Sequence, residues 1–482
     1  MKTTLLTAAA LTLALNPAFA QVETMPPPPA APRQLQIPKP VEKTLANGLR
    51  VIVIQKKGVP LVAARLLIKN GGEADPANLP GLADTTASLL TKGTTTKSAE
   101  EIARGIEALG ATLDTGAGWD ESSADVSVMS SKLPQALGFL ADVVRHPTFK
   151  QEEIDRLRQQ NVDALSVAMK QPGRLASFVM THAIFGASPY GHYLGGTPQS
   201  LTRIKRDDIV AFHRNYYRPD NAILVLGGDI APAQAFAAAQ ELFGGWKAPA
   251  DSHPASLAST KEFPSPHVIV VDMPSAGQAA VVAGRPGLRR ADPAYHLSLV
   301  TNSILGGGYS SRLNEEIRIK RGLSYGANSS FDLRRDVGPF TATVQTKNES
   351  AGEVAGLVVD ELNKLGTTPV ADDELGPRKA VLIGGFGRQL ETNSGLVGRI
   401  GTLALYGLSL DEINRYISGV QEISAADIQK FAAAHLGGND ASIVIVGDAK
   451  KFLPKLQERF KNVEVIPIDE LDVNSATLRK AK

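Results

Sequence analysis

Apolar and polar positions along the chain fall into short blocks whose period switches between two and three to four. "LRVIVIQ" from Leu49 and "LVAARLLIKNG" from Leu61 are nearly continuous apolar runs, and "ADVSVMS" from Ala124 alternates residue by residue; all three predict strands. "GLADTTASLLTKG", Gly81 to Gly93, predicts a helix, because Leu82, Ala83, Thr86, Leu89 and Leu90 form one apolar stripe. "SAEEIARGIEALG" predicts a second helix, with Ser98 as its cap and Glu101 at the third helical position. "LPQALGFLADVVRH" from Leu133 predicts a third. Strands and helices alternating in this way describe an α+β fold, a sheet with helices packed on one face. The glycine-rich "LGGGYSSRL" from Leu305 has neither the P-loop spacing nor G-x-G-x-x-G after a strand, and reads as a tight turn before a helix.

The pattern occurs twice. "RDDIVAFHRNYYRPDNAILVLGGDI" from Arg206 and "AADIQKFAAAHLGGNDASIVIVGDA" from Ala425 align without a gap, so that Asp208, Ile209, Phe212, Ala222 and Asp229 correspond to Asp427, Ile428, Phe431, Ala441 and Asp448. "TFKQEEIDRL" and "TPVADDELGP" echo each other at nearly the same offset. The expectation is two homologous domains, each a mixed, mainly antiparallel sheet with helices on one face. The first would span 41–246 and the second 267–455. Pro- and Ser-rich 247–266 would be the linker, 21–40 a Pro-rich extension and 456–482 a polar tail.

Composition narrows the class. The chain has 482 residues, with 51 Lys plus Arg against 49 Asp plus Glu, a balance that offers no electrostatic case for nucleic acid. It has no cysteine, which excludes disulfides, a thiol nucleophile and Cys-based zinc sites. "MKTTLLTAAALTLALNPAFA" has Lys2, an apolar stretch from Leu5 to Leu15 and Ala18-Phe19-Ala20, the layout of a cleaved secretory signal in 1–20. The stretch is too short to span a bilayer, so the expectation is a periplasmic protein without membrane insertion, beginning at Gln21. The eight histidines are His146, His182, His192, His213, His253, His267, His296 and His435, and no two stand at i, i+3 or i, i+4.

Four strings in order carry a family resemblance: "LANGLRVIVIQ", "GGEADPANLPGLADTTASLLTKGT", "PYGHYLGGTPQSLTRIKRDDIVAFHRNYYRPDNAILVLGGDI" and "ILGGGYSSRLNEEIRIKRGLSYGANSSF". Together they resemble the pitrilysin/insulinase zinc peptidases, which include the mitochondrial processing peptidases, over about Val41 to Phe452. Active members carry H-x-x-E-H on the helix of the second string, two His converging on one zinc and a Glu serving as base, with a distal Glu completing the site. The matching positions here are Asp84, Ala87 and Ser88, and family spacing puts the distal ligand at Leu165. None is a competent equivalent, so the resemblance implies no metal in this chain. In the fourth string the family's Arg and Tyr, seven residues apart, match Arg318 and Tyr325. Ser310 or Ser311 would cap the helix that carries Arg318, and Gly322 would end it. The resemblance assigns this pair to the substrate carbonyl and its oxyanion. Arg321, four residues before Tyr325, reads as a surface or interface residue. The resemblance also makes "GATLDTGAGWDESSADVSV" an edge strand for extended peptides, with Gly116, Ala117 and Gly118 as substrate-binding positions.

Loss of the metal positions with retention of the Arg/Tyr pair implies a non-catalytic subunit of a heterodimeric zinc peptidase. It would be inactive alone and would close half of a chamber, with Arg318 and Tyr325 acting in trans. The implied partner is a homologous chain with intact H-x-x-E-H, holding the zinc, and the substrates are short or unfolded peptides. The alternative is a stand-alone peptide-binding or scaffold protein without hydrolysis.

Overall fold

A computed structural model describes residues 37–250, 260, 262–274 and 276–481. The signal segment, most of the Pro-rich extension and much of the expected linker lie outside them. The first half builds β1 (Val41–Thr44), β2 (Arg50–Gln55), β3 (Leu61–Ile68), β4 (Thr112–Ala117), β5 (Ser122–Met129) and β6 (Ala222–Gly228). The second builds β7 (Val268–Asp272), β8 (Ala279–Pro286), β9 (Ala327–Phe331), β10 (Pro339–Thr346), β11 (Ser442–Gly447) and β12 (Val463–Pro467). Five helices bear on the site: α1 (Leu82–Leu89), α2 (Gln151–Ala168), α3 (Pro172–Phe185), α4 (Asp372–Glu391) and α5 (Asn393–Leu405).

Each half forms its own six-stranded sheet, ordered β1-β2-β6-β3-β5-β4 and β12-β7-β11-β8-β10-β9. Without the outer strands β1 and β12, the two orders are identical, which is the duplication expressed as topology. β2–β6, β7–β11 and β7–β12 are parallel and the other pairs antiparallel. The three strands expected from the first-half patterns form as β2, β3 and β5. The helix at Ala99–Ala108 carries the expected capping box between Ser98 and Glu101.

The two faces of each sheet are buried differently. Val51, Val53, Ala64 and Leu66 face helices of their own half, among them Leu137, Leu140 and Val144 of Leu133–Arg145. Ile52, Ile54, Leu67 and Val225 instead pack with Leu396, Val397 and Ile400 of α5, from the other half. The exchange is reciprocal: Ile269, Val271, Ala280 and Val282 pack with Leu175, Val179 and Met180 of α3. The crossing helices come close. A Cβ at Gly227 in β6 would lie 2.6 Å from Val397 Cγ2, and one at Gly284 in β8 would lie 2.6 Å from Met180 Sδ. Glycine at both positions lets a helix lie directly on the strand. This exchange makes the described residues one compact unit.

The segment expected as a polar tail at 456–482 supplies a strand instead. β12 pairs with β7, Ile466 is fully buried, and Leu471 and Leu478 are nearly so. Its charged flanks hide a short alternation, "VEVIP", that finds an open sheet edge only in the folded protein.

Candidate functional site

α1 forms where the stripe predicts it. Leu82, Ala83, Thr86, Leu89 and Leu90 are all at most 3% exposed. Its N-terminus is capped from outside: the Asp75 carboxyl accepts from the Gly81 and Ala83 N–H groups, both at 2.7 Å. The helix is therefore sound as a scaffold. At the degenerate metal positions, Ala87 is fully buried, and burial pushes the Asp84 carboxyl above its ordinary range, which favours the neutral form. α1 touches α2, where Leu165 is 9% exposed in the hydrophobic core. The structure thus brings together the two helices that a zinc site would need, but Asp84 is the only carboxylate among these four positions. Among the described residues no three His, Asp or Glu side chains stand close enough to share a metal ion. Among the described histidines, His213 bonds the Val144 carbonyl at 2.8 Å, and burial pushes it down to about 4.

Arg318 lies in a helical segment that starts as α-helix at Arg312–Asn314 and widens to a π-helix at Glu315–Lys320. Such widened turns recur at functional sites. Ser311 occupies the N-cap position without making the cap bond, and Gly322, at φ 63°, ends the segment as expected. Arg312, Lys320 and Arg321 each pair with a carboxylate: Glu374, Glu316, and Glu316 with Glu353. Arg318 pairs with none among the described residues. Its guanidinium lies 4.8 Å from the Tyr309 ring centroid. Tyr325 sits in the turn two residues before β9, and Ser324 braces that turn by bonding both backbone groups of Gly326. Tyr325 is 89% exposed, and it borders a cavity of about 440 Å³ between the first turn of α3 and strands β8 and β10. A tyrosine kept for the core would be buried.

β4 is the edge strand of the first sheet, as expected, and it packs beside α1. Gly116 and Ala117 pair with Ser123 and Ser122 on one side only. Gly118 differs: its N–H donates to the Glu121 carbonyl at 2.7 Å and its carbonyl accepts from Gly72 at 3.0 Å. Both of its backbone groups are taken, so strand addition at this edge has Gly116 and Ala117 to use.

One cluster is not among the residues singled out from the sequence. The β4–β5 turn meets the β9–β10 turn, and Asp120, 1% exposed, lies between them. Its carboxyl accepts from the Tyr190 hydroxyl, from the Tyr406 hydroxyl at 3.0 Å and from the Arg335 N–H at 2.7 Å. The Arg335 guanidinium reaches Glu73 at 3.0 Å and the Lys69 and Asp120 carbonyls at 2.8 Å. Beside it, the Arg334 guanidinium covers the Trp119 ring at 4.2 Å. The aromatic and charged composition of the two turns, "GWDES" and "LRRDVG", is the one trace of this junction in the sequence.

Burial pushes Glu73 up to about 8, against the pull of Arg335. The folded state then keeps a proton that the unfolded chain, with a carboxyl near 4.5, has released. Stability from this group is full below about pH 4.5 and is lost as pH rises through 8, a fall on the order of 3 kcal/mol between pH 5 and 8. We expect Glu73→Gln to flatten this dependence and to raise the urea midpoint more at pH 8 than at pH 5. Equal pH dependence in both proteins would remove Glu73 as its source.

Known proteins agree with this architecture. Residues 50–196 match the insulinase family (peptidase family M16), and residues 203–382 match the peptidase M16 inactive domain. A Streptomyces coelicolor protein described as an uncharacterized zinc protease is 26% identical over 410 residues, 84% of this chain and 89% of its own. A Helicobacter pylori non-peptidase homolog, YmxG, is 24% identical over 408 residues, 84% of this chain and 94% of its own. The solved structure of a peptidase M16 inactive domain from Pseudomonas fluorescens aligns at TM-score 0.80 and 29% identity, covering 85% of this chain and 98% of that one. With both halves matched and the metal positions reading Asp84, Ala87, Ser88 and Leu165, the chain belongs to the insulinase family, peptidase family M16, as an inactive peptidase homologue.

Proposed function

We propose that this chain is the non-catalytic subunit of a heterodimeric zinc peptidase. It forms half of a closed chamber and presents Arg318 and Tyr325 to peptides held at a partner's metal site. One observation carries the reading: Tyr325 is 89% exposed in a chain whose own metal helix has no ligand set. An exposed phenol in a braced turn, seven residues after an arginine that has no carboxylate partner among the described residues, suits an external oxygen better than a structural role.

The partner is a homologous chain with intact H-x-x-E-H, and its zinc supplies an activated water. The tasks of this chain are to bind and orient. Tyr325 donates its O–H, and Arg318 its N–H groups, to the carbonyl oxygen of the peptide bond. Both bonds strengthen as that oxygen gains charge in the tetrahedral state. The edge strand β4, at Gly116 and Ala117, aligns extended peptides through backbone bonds. The secretory-signal layout of the first 20 residues supports a periplasmic location for this chain.

The test is reconstitution. The chain is mixed with a secreted homologue that has H-x-x-E-H and lacks the Arg/Tyr pair, and cleavage of a fluorogenic peptide is followed. We expect the mixture to cleave at least about 100-fold faster than either chain alone, the worth of one or two oxyanion donors. A partner fully active by itself would refute the heterodimer. Peptide binding without cleavage by any mixture would favour a stand-alone binding protein.

A further inference from the structure

The cavity beside Tyr325 has a chemical bias that the proposed Arg/Tyr role does not use. α3 covers β8 and β11 and leaves the same side of β10 and β9 open. There the alternation turns polar: Ala342 and Val344 point into the core, while Gln345 and Asn328 line the cavity. Gln171 and Arg174, at the start of α3, and Gln278, just before β8, complete its polar wall. Its volume of about 440 Å³ is in the range of small-ligand sites.

Among the described residues, Arg174 is the only formally charged side chain in the lining, and no Asp or Glu lines the cavity. Among the described residues Arg174 has no ion-pair partner, although the chain as a whole has nearly equal numbers of acids and bases. Four carboxamides, of Gln171, Gln278, Asn328 and Gln345, line the cavity with this cation, and each supplies N–H donors as well as a carbonyl. An uncompensated guanidinium among amides matches a carboxylate, which it binds through two parallel N–H groups. The amides match the polar backbone that would accompany it.

We propose that this cavity is a peptide subsite that holds a carboxylate on Arg174, from a chain's C-terminus or from an Asp or Glu side chain, close to the carbonyl bound by Tyr325. The proposal rests on the peptide-handling part of the function proposed above and adds a substrate class to it. Peptides with an acidic group or a chain end near the scissile bond are the preferred ones.

The test uses the full chain alone, so it does not depend on a partner or on cleavage. Fluorescence anisotropy measures four labelled peptides of one sequence: free acid, C-terminal amide, amide with one internal Glu, and amide with Gln at that position. We expect a carboxylate-bearing peptide to bind about 10-fold or more tightly than its neutral match, the value of a charge-assisted pair. Arg174→Gln should abolish that difference, and Arg174→Lys should restore part of it. Arg174 is exposed, so the fold is indifferent to these changes. A difference confined to acid against amide identifies the chain end, and one confined to Glu against Gln identifies the side chain. Equal binding of all four peptides, no binding of any, or a preference that survives in Arg174→Gln would overturn the proposal. If the preference fails while the reconstituted mixture still depends on Tyr325, only the subsite falls; the reverse outcome removes the role in trans and leaves the subsite.

Discussion

Tyr325→Phe is expected to lower the kcat of the reconstituted mixture by about 10²- to 10³-fold, with KM nearly unchanged. The phenol O–H meets the carbonyl oxygen weakly in the ground state and strongly once that oxygen carries charge, so the loss falls on the chemical step. The same substitution should leave stability within about 0.5 kcal/mol, because an exposed ring contributes little packing. Arg318→Ala should lose at least as much activity. Arg318→Lys should recover little, since an ammonium replaces a planar fork. The double variant should fall short of the product of the two single losses, because both groups serve one oxygen. Single-turnover cleavage with excess complex measures these rates directly. A Tyr325→Phe mixture with wild-type kcat would mean that the phenol has no part in the chemistry.

Asp120→Ala is expected to cost about 3–5 kcal/mol of folding stability. The side chain is 1% exposed and accepts from Tyr190, Tyr406 and the Arg335 N–H. Removing it leaves two buried hydroxyls and a backbone N–H with no acceptor, in a place that water reaches poorly. Two of those donors, Tyr406 and Arg335, come from the second half and Tyr190 from the first, so the loss should loosen the junction between the halves. Asp120→Asn keeps one acceptor oxygen and should cost clearly less. Urea midpoints for the wild type and both variants decide the matter. A loss under about 1 kcal/mol for Asp120→Ala would show that the exchanged helices alone hold the halves together.

The scaffold of the candidate site was legible before the structure. The stripe on α1 requires only a period and a hydrophobic face, and all five of its residues are buried. The absent ligands at Asp84, Ala87, Ser88 and Leu165 are a matter of side-chain identity, as is the retained spacing of Arg318 and Tyr325. Positive φ at Gly322 follows from its place at a helix end. The free state of Arg318 is different. Four cations lie within ten residues, and which of them lacks a carboxylate depends on Glu374 and Glu353, far along the chain.

The sequence by itself determined the first-half strands and helices, the duplication and the absence of the family's ligands at Asp84, Ala87, Ser88 and Leu165, because each rests on local periodicity, a fixed offset or the presence of a functional group. Tertiary structure alone decided which surfaces meet. That α3 covers the second sheet and α5 the first cannot be read from their patterns, since an apolar face specifies burial and not its partner. The glycines that admit those helices, the Asp120 junction between two turns and the use of "VEVIP" as an edge strand depend likewise on residues brought together from distant segments. So does the exposure of Tyr325: its sequence context names a tyrosine before a strand, and only the packing around that turn left the ring outside the core.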